Sequence, residues 1–256
     1  MTFFYSFQSE WLKKKHSAAA ALVWVGAFLI PLILLIVRLK KFGSLAAGNI
    51  SPVLWEGLYV RGWQFMVFFL LPLGVMLATS LITQLEYRNN TWKQAHTTPQ
   101  DPCILYLSKL SVILVMLLQF FLLFNVGIYL AGIIPTLFSG VPYPLEPFPW
   151  RKFLEGSGFF FLDTLPIVGL QYLVSMQFRN FMVPLAVGVG FYVASMVAVN
   201  WEYGYTMPYC YSSIEFLHGH MTKREPAVNI HVWALAYFAV FIMVSYVLYR
   251  TKRDKS

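Results

Sequence analysis

The chain has 256 residues, of which 58% are hydrophobic and only 12% charged. A soluble domain carries about a quarter charged residues, so this balance excludes a soluble protein with a large core. It leaves no soluble module to present a basic face to nucleic acid. The net charge of +8 is read instead as Lys and Arg flanking membrane spans, where they set orientation and meet anionic lipid.

Before the first apolar run, Phe4, Phe7 and Trp11 recur at helical spacing, with Ser6, Ser9, Glu10 and Lys13 on the other side. That pattern predicts an interfacial helix within residues 1–17, its aromatic face in lipid. A frayed tail is the alternative. Spans of roughly 20 apolar residues are expected near 18–37, 63–85, 110–134, 157–176, 181–200 and 230–249. The first run is longer than the apolar region of a cleavable signal, about 15 residues at most, and Arg38, Lys40 and Lys41 follow it, so a span is the main reading and a cleavable signal the minor alternative. The whole of 1–256 reads as one transmembrane domain, without internal repeats. With a cytoplasmic N-terminus, 11 of the 19 Lys and Arg fall inside, on the shorter segments. Both termini are therefore expected in the cytoplasm. Cys103 and Cys210 then lie on opposite faces and do not pair, and the chain has no CxxC motif.

Between the second and third spans lies a polar island, Glu86 to Pro102, reading EYRNNTWKQAHTTPQDP. Its first 13 residues hold no Gly or Pro, which permits a short helix. Arg88, Trp92 and His96 then share one face, and Pro99 and Pro102 end it. A large aromatic flanked by cations suits a protein partner. The other reading seats Trp92 and Tyr87 among lipid headgroups.

Gln119 and Asn125 in the third span fit helix–helix hydrogen bonds, and Asn125 is also a candidate for a substrate path. Residues 135–149 carry five prolines and read as an ordered outer loop. Asp163 is the one acidic residue within a span, and two readings stand: a substrate-path group or an interfacial cap. Pro72, Pro166 and Pro184 can bend their helices. Gly188 and Gly190 suit close helix contact, and Gly74 and Ala78 have the small-xxx-small spacing of a pairing face. Residues 201–229 read as the largest outer loop. His218, His220 and His231 lack the geometry of a zinc set, so no metal is expected. The acceptor patterns at Asn49 and Asn89 are read as chance matches.

The run from Glu86 through Arg88, Trp92 and Lys93, then Thr98-Pro99, then Leu105-Tyr-Leu-Ser-Lys109-Leu, resembles the hallmark of type-2 ATP-binding-cassette exporter permeases. It is similar, more narrowly, to permeases of bacterial lantibiotic-immunity and related peptide-export systems. The resemblance covers the chain in its six-span layout, while the residue match is confined to about 86–110. It implies two permease subunits, alike or paralogous, paired with two cytoplasmic ATPase subunits in a bacterial inner membrane. It implies a coupling helix between spans 2 and 3 that docks on the ATPase, with Glu86, Arg88, Trp92, Lys93, Pro99 and Lys109 as coupling residues. The chain has no GxxxxGK[ST] loop, so ATP and Mg are expected on the partner. This chain is not expected to be an enzyme or to hold a cofactor. The expected cargo is amphipathic, such as a peptide antibiotic or a lipid-like molecule, because the spans lack the carboxylate rows of an ion path. An intramembrane enzyme would need paired catalytic groups at one depth, and Asp163 stands alone. An ATPase-independent secondary transporter or channel would need inverted repeats or a midplane charge.

Overall fold

The computed structural model describes residues 3–15, 17–88, 101–137, 140–178, 180–220 and 228–253, without the side chains of 42, 85–88, 220, 252 and 253. Among them there is no β-strand, and the fold is an all-α polytopic membrane protein. In chain order the helices are α1 (Phe3–Lys14), α2 (Ala18–Lys40), α3 (Phe42–Ile50), α4 (Leu54–Phe65), α5 (Leu71–Arg88) and α6 (Pro102–Ile133). Then come α7 (Trp150–Gln177), α8 (Met182–Ala198), α9 (Tyr211–His220) and α10 (Ile230–Arg253). A π-helical turn, Met66–Leu70, joins α4 to α5 without a break.

Five stretches are long and apolar enough to span: Ala18–Lys40, Leu54–Gln84, Pro102–Leu137, Trp150–Gln177 and Ile230–Thr251. The expected fifth span is the shorter α8, of 17 residues. Several helices outrun their apolar cores, because polar residues such as Glu56, Arg61, Arg151 and Lys152 continue the helix on an exposed face. Polar caps mark two starts. Ser17 accepts from the Ala20 N–H, and Asp101 accepts from the Cys103 N–H at 2.9 Å with Pro102 opening the first turn.

The central post is α7. In its most apolar stretch 72% of residues are buried, against 11% for α10, which presents most of its surface to lipid. The α4–α5 rod packs through Trp55, Tyr59, Trp63, Val67, Leu71, Val75, Thr79 and Thr83, all buried and all four residues apart. On an α-helix of 3.6 residues per turn such a stripe drifts by about 40° per step. The extra residue taken up by the π turn removes about 100° of that drift, which keeps both halves facing the core. Pro72 follows at once and has no N–H to give the carbonyl of Phe68. The Tyr192 hydroxyl of α8 supplies that donor at 2.7 Å. Tyr192→Phe should therefore cost about 1 kcal/mol, read as a lower unfolding midpoint in detergent.

Small residues set the closest helix approaches. A Cβ on Gly127 would meet the Pro31 ring, and one on Gly132 the Trp55 ring. Gly188 also meets the expectation of close contact, since a Cβ there would strike Gln171 and Met76. Gly190 does not: nothing lies within 4 Å of its Cβ position.

The expected outer loop at 201–229 is corrected. Residues 211–220 form α9, which turns back onto α7 and the π turn, with Phe216 buried against the Phe68 ring at 6.0 Å. Tyr209, Cys210 and Tyr211 are buried beside it. Tyrosines and serines in this stretch look like surface, but their hydroxyls find partners inside, as when Tyr211 donates to Tyr205 O at 2.8 Å. Burial pushes the Cys210 thiol up to about 12, and its Sγ donates to Ser195 O. Both cysteines are free. The proline-rich loop is ordered where described. Trp55 Nε1 donates to Glu146 O at 2.8 Å, and Asn49 Nδ2 to Pro142 O at 2.9 Å. Asn49 is fully buried, so its acceptor pattern is not a modification site.

Candidate functional site

The candidate coupling residues lie at the end of the bundle where α5 finishes and α6 begins. Residues 89–100 join them there, and Trp92, Lys93 and Pro99 lie outside the described residues. Glu86 and Arg88 fall in the last turn of α5, with their side chains also outside that set. Lys109 is described, on the second turn of α6, and is only 3% exposed.

Its partner comes from α1. The Lys109 ammonium lies 3.9 Å from Glu10 Oε2, and Glu10 also pairs with Lys13. One turn on, Lys14 lies 3.7 Å from the centre of the Trp11 ring and donates to Gln119 Oε1 at 3.2 Å. Burial lowers the Lys14 ammonium below its ordinary value. The expected interfacial helix is therefore present, but its orientation needs correcting. The face carrying Ser6, Glu10 and Lys14 is buried against the protein, while Phe4 is 67% exposed. An interfacial helix has a third surface besides lipid and water, and here α6 takes the polar side by offering Lys109 and Gln119. Glu10→Ala should cost about 3 kcal/mol, since it strips a carboxylate from a buried ammonium. Lys13→Ala, on the open side, should cost under about 1 kcal/mol. Thermal unfolding in detergent separates the two.

The same end is tied laterally. Gln84 Nε2 of α5 donates to Phe178 O at 3.3 Å, just past α7, and Ser80 and Ser175 hydroxyls meet at 3.3 Å. The Tyr172 hydroxyl of α7 donates to Tyr106 O on α6 at 2.8 Å, and Tyr106 OH donates to Ile242 O on α10 at 3.1 Å. The Tyr106 ring sits 5.0 Å from Tyr172 and 5.3 Å from Tyr246. At this end α5 is thus tied to α7, and α6 to α1, α7 and α10. None of these ties was anticipated, because tyrosines at span ends are expected as an interfacial belt.

The two candidate substrate-path residues lie deeper. Asn125 is buried, and its Nδ2 donates to Ser157 Oγ of α7 at 2.7 Å. Gln119 also bonds another helix, as expected, accepting from Lys14 of α1. Asp163 is fully buried and is not alone: His231, the second residue of α10, holds its Nδ1 2.8 Å from Asp163 Oδ1. A carboxylate oxygen accepts, so Nδ1 carries the hydrogen. His231 Nε2 lies 3.8 Å from Glu215 Oε2 on α9, and the imidazole stacks on Phe159 at 4.9 Å. The cluster pins α7, α9 and α10 together. The clue available beforehand was that a carboxylate in a span needs a partner. Among the described residues, no group of three His, Cys, Asp or Glu is placed to hold a metal ion.

A family model described as "ABC-2 family transporter protein" matches residues 6–195, from α1 to near the end of α8. No curated protein and no solved structure matches the chain.

Proposed function

The chain belongs to the ABC-2 family of transporter proteins and is a membrane permease of an ABC transporter; we propose that it couples ATP hydrolysis on two separate cytoplasmic ATPase subunits to the export of an amphipathic molecule. The cargo class we favour is a peptide antibiotic or lipid-like compound, in line with the resemblance to lantibiotic-immunity permeases. A second permease copy, identical or paralogous, completes the transporter in the bacterial inner membrane, with both termini in the cytoplasm. ATP and Mg are bound by the ATPase chains.

The observation that supports this most directly is the linkage at the α5–α6 end. Two long helices leave residues 89–100 side by side, and α6 carries α1 on its flank through Glu10 and Lys109. In this reading Glu86, Arg88, Trp92, Lys93 and Pro99 form the docking lever. Lys109 works one step inward, passing displacement to α1 rather than touching the ATPase. Asp163 and Asn125 reach the substrate path only when α7 parts from α10 and α6, because both are engaged with neighbouring helices here.

Sidedness is the first test. In intact cells a maleimide that cannot cross the membrane should leave Lys93→Cys unlabelled, and labelling should appear only after permeabilisation. Labelling from outside would reverse the topology and remove the lever from reach of a cytoplasmic ATPase. Export should require the ATPase partner and ATP. Transport by this chain alone down an ion gradient would favour the secondary-transporter reading.

A further inference from the structure

Where α10 begins, one imidazole stands between two carboxylates carried by other helices. His231 Nδ1 lies 2.8 Å from Asp163 Oδ1 on α7, and Nε2 lies 3.8 Å from Glu215 Oε2 on α9. The two contacts sit in different surroundings. Asp163 is fully enclosed, whereas the His231 and Glu215 side chains are 24% and 28% exposed. This end of α10 is the one away from residues 89–100, since Tyr246 and Tyr249 near its other end pack on Tyr106 at the start of α6.

The two contacts make different demands on the ring. Nδ1 donates to Asp163 in the neutral and in the charged form alike. With that hydrogen in place, Nε2 carries one only in the charged form. A neutral ring turns a lone pair toward the Glu215 carboxylate and is repelled, while an imidazolium turns an N–H toward it and attracts. We propose that this cluster is a proton-operated latch on α9: protonated His231 draws the Glu215 turn against α7 and α10, and neutral His231 releases it. Histidine changes charge between about pH 5 and 8, so acid closes the latch and alkali opens it. What it controls is the fit of α9 over α7 and the π turn, where Phe216 packs on Phe68.

The other groups facing the cluster, among the described residues, do not supply the same switch. Tyr211 of α9 is close enough to feel the Asp163 charge, Tyr237 of α10 packs on Tyr211, and Tyr59 of α4 feels Glu215. Phenols ordinarily titrate near 10, and burial pushes Tyr211 further up. From α7, Phe159 offers only its ring, and Glu155, one turn before it, pairs with Arg151 at the surface. His218, one turn beyond Glu215 on α9, is the imidazole that serves as a control. The latch stands on this geometry; that its opening precedes the parting of α7 from α10 rests on the transport reading.

The test is hydrogen exchange of the full chain in nanodiscs, without ATPase or ATP, at about pH 6 and about pH 8.5. Each rate is divided by that of an unstructured chain at the same pH. Amides of residues 211–217 should open about tenfold more often at the higher pH, equivalent to about 1.4 kcal/mol, and those of α8 should not change. Glu215→Gln removes the charge facing Nε2 and should abolish the difference, while His218→Gln should preserve it. Equal protection at both pH values, a change of opposite sign, or one shared by α8 would overturn the proposal. So would a difference that survives Glu215→Gln or vanishes with His218→Gln. Since no ATPase takes part, failure here leaves the proposed coupling untouched.

Discussion

Trp92→Ala together with Arg88→Glu should abolish copurification with the ATPase subunits and drop ATP-dependent export to background, while the permease remains folded and in the membrane. Tryptophan and arginine at the centre of a protein interface each contribute about 2 kcal/mol or more, or roughly a 30-fold change in dissociation constant. Losing one and reversing the other removes more affinity than a transient docking contact has to spare. Arg151→Glu, at the opposite end of the molecule with its side chain 91% exposed, changes charge equally and should leave the complex intact. Stable copurification with unchanged ATP turnover in the double variant would show that residues 86–99 are not the lever.

His231→Ala should destabilise the protein by about 3–5 kcal/mol, because it leaves the Asp163 carboxylate enclosed without its partner. Asp163 is fully buried, and its Oδ2 has no hydrogen-bond partner among the described residues. Replacing both members by leucine should recover most of the loss, since an apolar pair of similar volume is often neutral or better than a buried ion pair. Thermal unfolding of the single and double variants in detergent gives the coupling directly, and strong non-additivity is expected. A His231→Ala protein as stable as its parent would mean that Asp163 is neutralised by some other route. The effect on export separates further. If the cluster holds α7, α9 and α10 together during transport, the leucine pair restores stability but not export.

The features legible beforehand were those carried by short-range pattern. Apolar run length located the helices at 18–40, 150–177 and 230–253 within a few residues at the ends nearest residues 89–100, because a bilayer imposes length directly. The helix at 3–14 was legible from the spacing of Phe4, Phe7 and Trp11, yet not its rotation. Ser6, Glu10 and Lys14 look like a water-facing stripe until Lys109 and Gln119, about a hundred residues on, are known to sit opposite. Asp163 looked solitary because its partner is 68 positions away, and no local period reports such pairing. The segment 211–220 was hidden for a different reason. Its serines and tyrosines have the composition of a loop, and only tertiary packing against Phe68 and Thr164 turns it into core. Of the candidate site, the resemblance singled out Lys109 but not its tie to Glu10 of α1, and the tyrosine clamp at Tyr106 and Tyr172 was not legible at all.

The shortness of α8 has a consequence for the host membrane. Seventeen residues rise about 25 Å, several ångströms less than an average hydrocarbon core. Its outward residues Met182, Val193 and Val197 are open to the surroundings, so among the described residues no neighbouring helix covers them. A span this short is met by thinning of the lipid around it, by flanking residues reaching outward or by a second subunit covering it, each at a fraction of a kcal/mol per ångström. Lipids with longer chains raise that cost on this side of the protein.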